Sequence, residues 1–298
     1  MSNAAHRLNR REFFALAAVP ALMQTKSSGT IVVCMHEASS ERFDFRAAME
    51  GYAKAGIRAV EPSLTKVREF AQKESAAAAR RLLDDLGLKA VSSSNQIGLP
   101  EPGDARARSL EDLKWKCELA QAIGCDRIVA PSAGTGQYTE DDYKRGVDNL
   151  REAADVARPF GVSIMLEFVR TSRFAASLPT ALRLVREANH PNVRVMMDTY
   201  HFWAGISKFE DLDFLRDGEL HHLHFEDVPA EPPREILGQP NRVFPGEGIA
   251  PLRRIVEVLK HKQYGGAASL EMFNPAIQGM DPYQLALRAR AAIEPLIG

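Results

Sequence analysis

Residues 141–168 read DDYKRGVDNLREAADVARPFGVSIMLEF, and two periodicities meet inside them. Over Asp141–Pro159 apolar residues return every three to four positions, the spacing of one helix face. Gly161 follows, a residue free to take the left-handed conformation that ends helices. Val162–Phe168 then runs as a short apolar strand closed by an acid, Ile164-Met165-Leu166-Glu167. Helix, stop glycine and strand make one unit, and that unit recurs along the chain.

Strand-like runs occur at Ile31–Met35, Arg58–Glu61, Leu88–Ser93, Arg127–Pro131, Val162–Phe168, Val193–Asp198, Leu220–Phe225 and Ala267–Met272. Between them lie helix candidates at Arg46–Ala55, Ser75–Leu86, Leu110–Ile123, Asp141–Pro159, Leu178–Ala188, Phe209–Leu215 and Leu252–Lys260. Glycines 56, 87 and 124 announce strands as Gly161 does. Strands alternating with helices argue for a parallel sheet, and eight of them argue for a closed α/β barrel of the (β/α)8 type more than for an open doubly wound sheet. No GxGxxG follows the first strand, so nothing favours a dinucleotide fold.

The chain has 298 residues, 45% hydrophobic and 26% charged, with 20 Gly and 17 Pro, which is the composition of a globular protein. With 38 Lys+Arg against 39 Asp+Glu the net charge is -1, so no global field draws in nucleic acid or an anionic membrane, and neither is expected as a partner. Cys34, Cys117 and Cys125 are too few for a disulfide framework and contain no CxxC pair.

The barrel is expected over residues 30–298 as one domain. Before it, Arg7–Met23 reads RLNRREFFALAAVPALM, a basic stretch and an apolar run too short to span a bilayer or act as a stable anchor. Arg10-Arg11 followed by Phe13-Phe14 resembles a twin-arginine export signal, so residues 1–29 are expected to be signal and linker and the protein to be periplasmic. The competing reading is an amphipathic helix or tail on a cytoplasmic protein, since no clean small-x-small cleavage site follows Met23.

In a (β/α)8 barrel the active site lies where the strands end. Four consecutive strands close on polar residues: Glu167, Asp198, His224 and Glu271. Three carboxylates sharing a partly buried volume need a cation, and their oxygens with one imidazole suit Mn²⁺, Mg²⁺ or Co²⁺, with Zn²⁺ also possible. Alternation puts His222 and His224 on one strand face and His221 on the other. His224, nearest the strand end, is the ligand; His222 belongs inside the barrel, and His221 to the helix side. His201, three residues past Asp198, is placed to reach a substrate hydroxyl. Glu61 and His36, ending the second and first strands, point at the same rim and are candidates for binding hydroxyls, or plain loop residues. Trp203 is a candidate wall of the substrate pocket, whereas Trp115, mid-helix, is expected in the core.

These residues resemble the xylose-isomerase-like TIM barrels, which include ketose 3-epimerases, hydroxypyruvate isomerase and the inosose isomerase and dehydratase. The likeness runs through Leu166-Glu167, Met197-Asp198-Thr199-Tyr200-His201, His222-Leu223-His224-Phe225-Glu226-Asp227, Arg242-Val243-Phe244-Pro245-Gly246-Glu247-Gly248 and Leu270-Glu271. It implies that Glu167, Asp198, His224 and Glu271 hold a divalent metal, that Glu167 and Glu271 transfer the proton, and that His201 and Arg242 contact substrate. The implied activity is a metal-dependent isomerase or epimerase of a sugar or keto-sugar, working by proton abstraction beside a carbonyl through an enediolate. Homo-oligomers are compatible with it. Pro245-Gly246-Glu247-Gly248 would hold Arg242 over the mouth, or form only a tight turn.

One departure stands out. Ketose 3-epimerases carry a glutamate six residues after the strand-five ligand, where this chain has Arg173, with Arg170 close by. Two guanidiniums at the mouth suit an anionic sugar; both facing solvent is the alternative. A lyase or dehydratase begins with the same proton abstraction and remains the second reading. An apurinic-site endonuclease is disfavoured by the neutral charge and the short supply of further ligands. A noncatalytic sugar-binding protein has no need of two carboxylates flanking a metal.

Overall fold

The structure is a computed structural model and describes residues 30–298; the expected signal and linker over residues 1–29 lie outside them. Among the described residues nine strands form one parallel sheet: β1 (Val32–His36), β2 (Ala59–Glu61), β3 (Lys89–Ala90), β4 (Ser93–Ser94), β5 (Arg127–Pro131), β6 (Ser163–Glu167), β7 (Val193–Asp198), β8 (Leu220–His224) and β9 (Ala267–Leu270). Their order is β3-β2-β1-β9-β8-β7-β6-β5-β4. The two ends of that order, β3 and β4, are consecutive in the chain and parted only by Val91 and Ser92. They are the halves of the expected third strand, the first pairing with β2 and the second with β5. One strand serving its two neighbours at different heights is the stagger that closing a barrel requires. The sheet is thus a (β/α)8 TIM barrel with its third strand interrupted.

Helices α1 (Phe45–Lys54), α2 (Leu64–Lys73), α3 (Ala76–Asp85), α4 (Gly103–Ile123), α5 (Glu140–Ala157), α6 (Leu178–Ala188), α7 (Thr199–Trp203), α8 (Leu252–His261), α9 (Pro275–Gln278) and α10 (Pro282–Ile297) complete the fold. The decisive stretch behaves as read. A Thr139/Asp142 capping box opens α5, and Gly161, at φ 69°, takes the left-handed conformation before β6. Several elements differ from expectation. Helices α2, α7, α9 and α10 are not among the helix candidates of the sequence. Helix α4 starts seven residues before Leu110, because its first turns are held by a polar side chain: buried Arg106 donates to Asn149 O at 2.6 Å and pairs with Glu152. The expected helix at Phe209–Leu215 is a 3-10 turn over Phe209–Phe214.

Alternation along each strand divides the core. Ile128, Ala130, Ile164, Leu166, Val195, Met197 and Leu223 face outward and pack with Leu150, Ala153, Ala154 and Ala157 of α5 in the main core. Inside the barrel sits a smaller layer, with Val129, Met165 and Met196 in one cluster and Cys34, Ala59 and Ala267 in another. Two residues further along β1, β2, β6 and β7 on that inner face come His36, Glu61, Glu167 and Asp198. Trp115 is half-buried at the core's edge, its Nε1 donating to Asp112 Oδ1 at 2.8 Å.

Candidate metal centre and active site

Register puts the polar strand ends side by side. Asp198 pairs with His224, His224 with Ser269, and His36 with Glu61. Glu167, Asp198, His224 and Glu271 converge, each with a ligating atom within 4.8 Å of the others. His224 Nδ1 lies 3.3 Å from Glu167 Oε1, 3.3 Å from Glu271 Oε2 and 3.9 Å from Asp198 Oδ2.

The fit to a cation can be tested on these atoms. Glu167 Oε1 and His224 Nδ1 are buried without a hydrogen bond, and Asp198 Oδ2, buried beside them, meets the Arg242 guanidinium as an ion pair at 2.8 Å. Buried polar atoms without hydrogen bonds are rare and costly, and two facing each other beside a further carboxylate oxygen call for a shared ligand. Three oxygens and one imidazole nitrogen match a divalent ion. The residues fit.

Electrostatics separate the two candidate proton carriers. Burial pushes the Glu167 carboxyl up to about 7, His224 opposing and Glu271 and Asp198 reinforcing the shift. Burial acts the same way on Glu271, but His224 and Arg242 outweigh it and hold that carboxyl well below the usual range. Asp198 is also lowered, its burial outweighed by Arg242, His201 and His224.

Arg242 is 1% exposed, and its Nη1 lies 2.8 Å from Asp198 Oδ2, 3.1 Å from Glu226 Oε2 and 3.2 Å from Glu271 Oε2. Its guanidinium sits between the rings of Tyr200 and Phe273, each 5.1 Å away, a cation–π arrangement. Asp227 places it. That buried carboxylate accepts from the backbone N–H of Val228 (2.8 Å), Ala250 (2.9 Å) and Gly246 (3.0 Å), and Asp227 pairs with Val243 as an antiparallel bridge. A Cβ on Gly248 would meet Val228 O at 2.3 Å, so only glycine lets the loop close on Asp227. The Pro245-Gly246-Glu247-Gly248 loop is therefore tied to Asp227, whose bridge partner Val243 directly follows Arg242.

His201 is buried, and burial pushes its imidazole down to about 4, leaving it neutral. Arg242 Nη2 lies 3.4 Å from His201 Nε2. A guanidinium only donates, so Nε2 accepts and the proton sits on Nδ1, which has no partner. His36 accepts from Ala38 N at Nδ1 (3.0 Å), which leaves its Nε2–H 3.5 Å from Glu271 Oε1.

Some expectations need correction. Glu61 does not reach the mouth. It is fully buried and its Oε2 meets His222 Nε2 (2.9 Å), His224 Nε2 (3.2 Å) and Ser269 Oγ (3.0 Å) inside the barrel. Trp203 is not brought to the cluster. Two residues along α7 rotate a side chain by about 200° from His201, and Trp203 packs against Tyr200, Ala204, Val228 and Leu237 beside a cavity of about 500 Å³ that none of the four converging residues lines. Arg173 is exposed, bonded through its backbone N–H to Gly134 O at 2.6 Å. Arg170 is occupied by the carbonyls of Ala204, Leu237 and Arg234. Glu226, never assigned a role, is fully buried, accepts from Glu271 N at 2.6 Å and has its carboxyl raised well above the usual range by burial and by Asp198. The signal was present: His222, His224 and Glu226 continue one period of two. His221 accepts from Arg194 Nε at 3.1 Å on the outer side, and His222 lies inside, as read.

Residues 50–294 match the xylose isomerase-like TIM barrel family, and the chain belongs to it. Among curated relatives, the inosose isomerase of Halalkalibacterium halodurans is 30% identical over 56% of this chain and 60% of its own length. The D-psicose 3-epimerase of Agrobacterium fabrum is 24% identical over 80% of this chain and 81% of its own, and the 2-oxo-tetronate isomerase of Haemophilus influenzae 26% identical over 79% and 91%. The match thus spans about 60% of the inosose isomerase's length. Among solved structures, the IOLI protein with a binding zinc atom superposes with a TM-score of 0.83 at 23% identity, covering 90% of this chain and 98% of that one, a likeness of fold.

Proposed function

We propose that this chain is a divalent-metal-dependent isomerase or epimerase of an uncharged sugar or cyclic keto-polyol. The observation that carries the reading is the pair Glu167 and Glu271, flanking His224 Nδ1 at 3.3 Å each, one held ionised and the other raised to about 7. The relatives that isomerise inosose or epimerise psicose support the same class. A divalent cation held by Glu167, Asp198, His224 and Glu271 would act as a Lewis acid on neighbouring substrate oxygens. Of the chain's own groups, one glutamate takes the proton from the carbon beside the carbonyl and the other returns it. His201 offers its free Nδ1–H to a substrate oxygen, and Arg242 supplies positive charge where the enediolate develops.

An uncharged substrate is the reading favoured by the two guanidiniums already engaged by the protein. Arg242 already faces three carboxylates and Arg170 three carbonyls. The test follows ketoses and inososes in deuterated water with the metal-loaded protein. Solvent-derived deuterium at the carbon beside the carbonyl, lost in Glu167→Gln and Glu271→Gln with the fold intact, is expected. General acid–base catalysis is worth about 10²–10⁴-fold, so a variant retaining near-wild-type turnover refutes its residue's role.

A further inference from the structure

We propose that Glu61 is the positioning residue that makes Nδ1, and not Nε2, the ligand atom of His224, acting from inside the barrel on the side of the imidazole away from the cation. The proposal rests on the reading of Glu167, Asp198, His224 and Glu271 as a divalent-cation site.

Glu61 ends β2, and His222 and His224 stand on β8; the three side chains meet in the barrel interior. Glu61 Oε2 takes His222 Nε2 at 2.9 Å, His224 Nε2 at 3.2 Å and Ser269 Oγ at 3.0 Å. An ionised carboxylate only accepts, so each imidazole must present an N–H at Nε2. In the neutral ring that a cation requires, this fixes the tautomer of His224: the lone pair is left on Nδ1, the buried atom without a hydrogen bond that faces Glu167 and Glu271 at 3.3 Å. A carboxylate behind a ligating histidine sets the ring's orientation and makes its free nitrogen more basic.

Glu61 also stands directly above an apolar layer, with Cys34, Ala59 and Ala267 one step deeper inside the barrel. Among the described residues no Lys or Arg pairs with Glu61; its ion-pair partners are His36, His222 and His224. Burying a carboxylate costs several kcal/mol where an apolar side chain would cost nothing, so packing alone gives no reason for an acid here. The pull of the negative charge through His224 toward a cation does.

The experiment titrates Mn²⁺ calorimetrically into the metal-stripped full chain. Glu61→Gln keeps the volume but removes the charge, and its affinity is expected to fall by about 10–100-fold. Ser269→Ala removes one donor to the same oxygen while leaving charge and tautomer, and should stay within about threefold, an order below the effect of losing the carboxylate. Should Glu61→Gln fail to fold, ¹⁵N NMR of the wild-type imidazoles decides: a proton on Nε2 of His224, with zinc-induced shifts on Nδ1, is expected. A Glu61→Gln affinity within threefold of wild type, zinc on Nε2, or no divalent binding by the wild type overturns the proposal. Neither readout needs turnover, so a protein that binds the cation this way but isomerises nothing would sink the proposed function and leave this inference standing.

Discussion

Removing the Asp227 carboxylate tests whether Arg242 is held by its loop or merely rests there. In Asp227→Ala three backbone donors, those of Val228, Gly246 and Ala250, lose partners 2.8–3.0 Å away. Hydrogen bonds to a charged group are worth about 1.5–3 kcal/mol each, and the part-buried loop lets water replace some of that, so a loss of roughly 3–6 kcal/mol is expected. Because the bridge to Val243 fixes the residue next to Arg242, the loosened loop should also misplace the guanidinium. Asp227 touches none of the four converging residues, so cation affinity should change only through the contacts of Arg242 with Asp198 and Glu271, while kcat collapses. Urea denaturation of the apo-protein measures the first effect, and Mn²⁺ titration beside steady-state kinetics the second. A stability loss under about 1 kcal/mol, or full kcat, would refute the argument that this carboxylate anchors the loop, because even one lost charged bond exceeds it.

Asp198→Asn should strip most divalent metal from the purified protein, read by elemental analysis; a metal-free wild type that stays active in chelator would overturn the cation reading. Glu37 sits fully buried just after β1, and burial pushes its carboxyl up to about 7 against the opposition of Lys66. A folded pKa above the unfolded one means the native state holds the proton more tightly, so this stability is present below about 4.5 and lost as pH rises to about 7. Between pH 5 and 8 the change is about 2–3 kcal/mol, and Glu37→Gln should abolish it in urea titrations; an unchanged pH slope would show that Glu37 does not titrate this way. Arg10 and Arg11, outside the described residues, carry the expectation of export: replacing both with lysine should retain the protein in the cytoplasm, and wild type fractionating with the cytosol would end that reading.

What was legible in the sequence, and what was not, divides along the reach of the interactions. Glu167, Asp198, His224 and Glu271 could be read because each closes an apolar strand, and a period of two fixes the face from nearest neighbours alone. The first turns of α4 could not, since Arg106 is buried by partners on α5 and not by an apolar stripe of its own. Trp203 was misplaced by adjacency: near His201 in the chain, it is turned away by the short helix that carries both. Arg170 suggested a charged substrate only while the carbonyls of residues 204, 234 and 237 were out of sight. Glu61 shows the limit most sharply. Its strand of three residues, Ala59–Glu61, marks it as a strand-end acid, yet its partners lie 161 and 163 residues away on the far side of the ring. Closing the barrel decides whether such an acid looks up to the mouth or inward to the histidines, and closure is set by the stagger of all the strands together. An acid at a strand end is therefore a reason to look for a cation nearby, while whether it touches that cation, the substrate or a ligand's far side is settled only by the neighbour that closure brings.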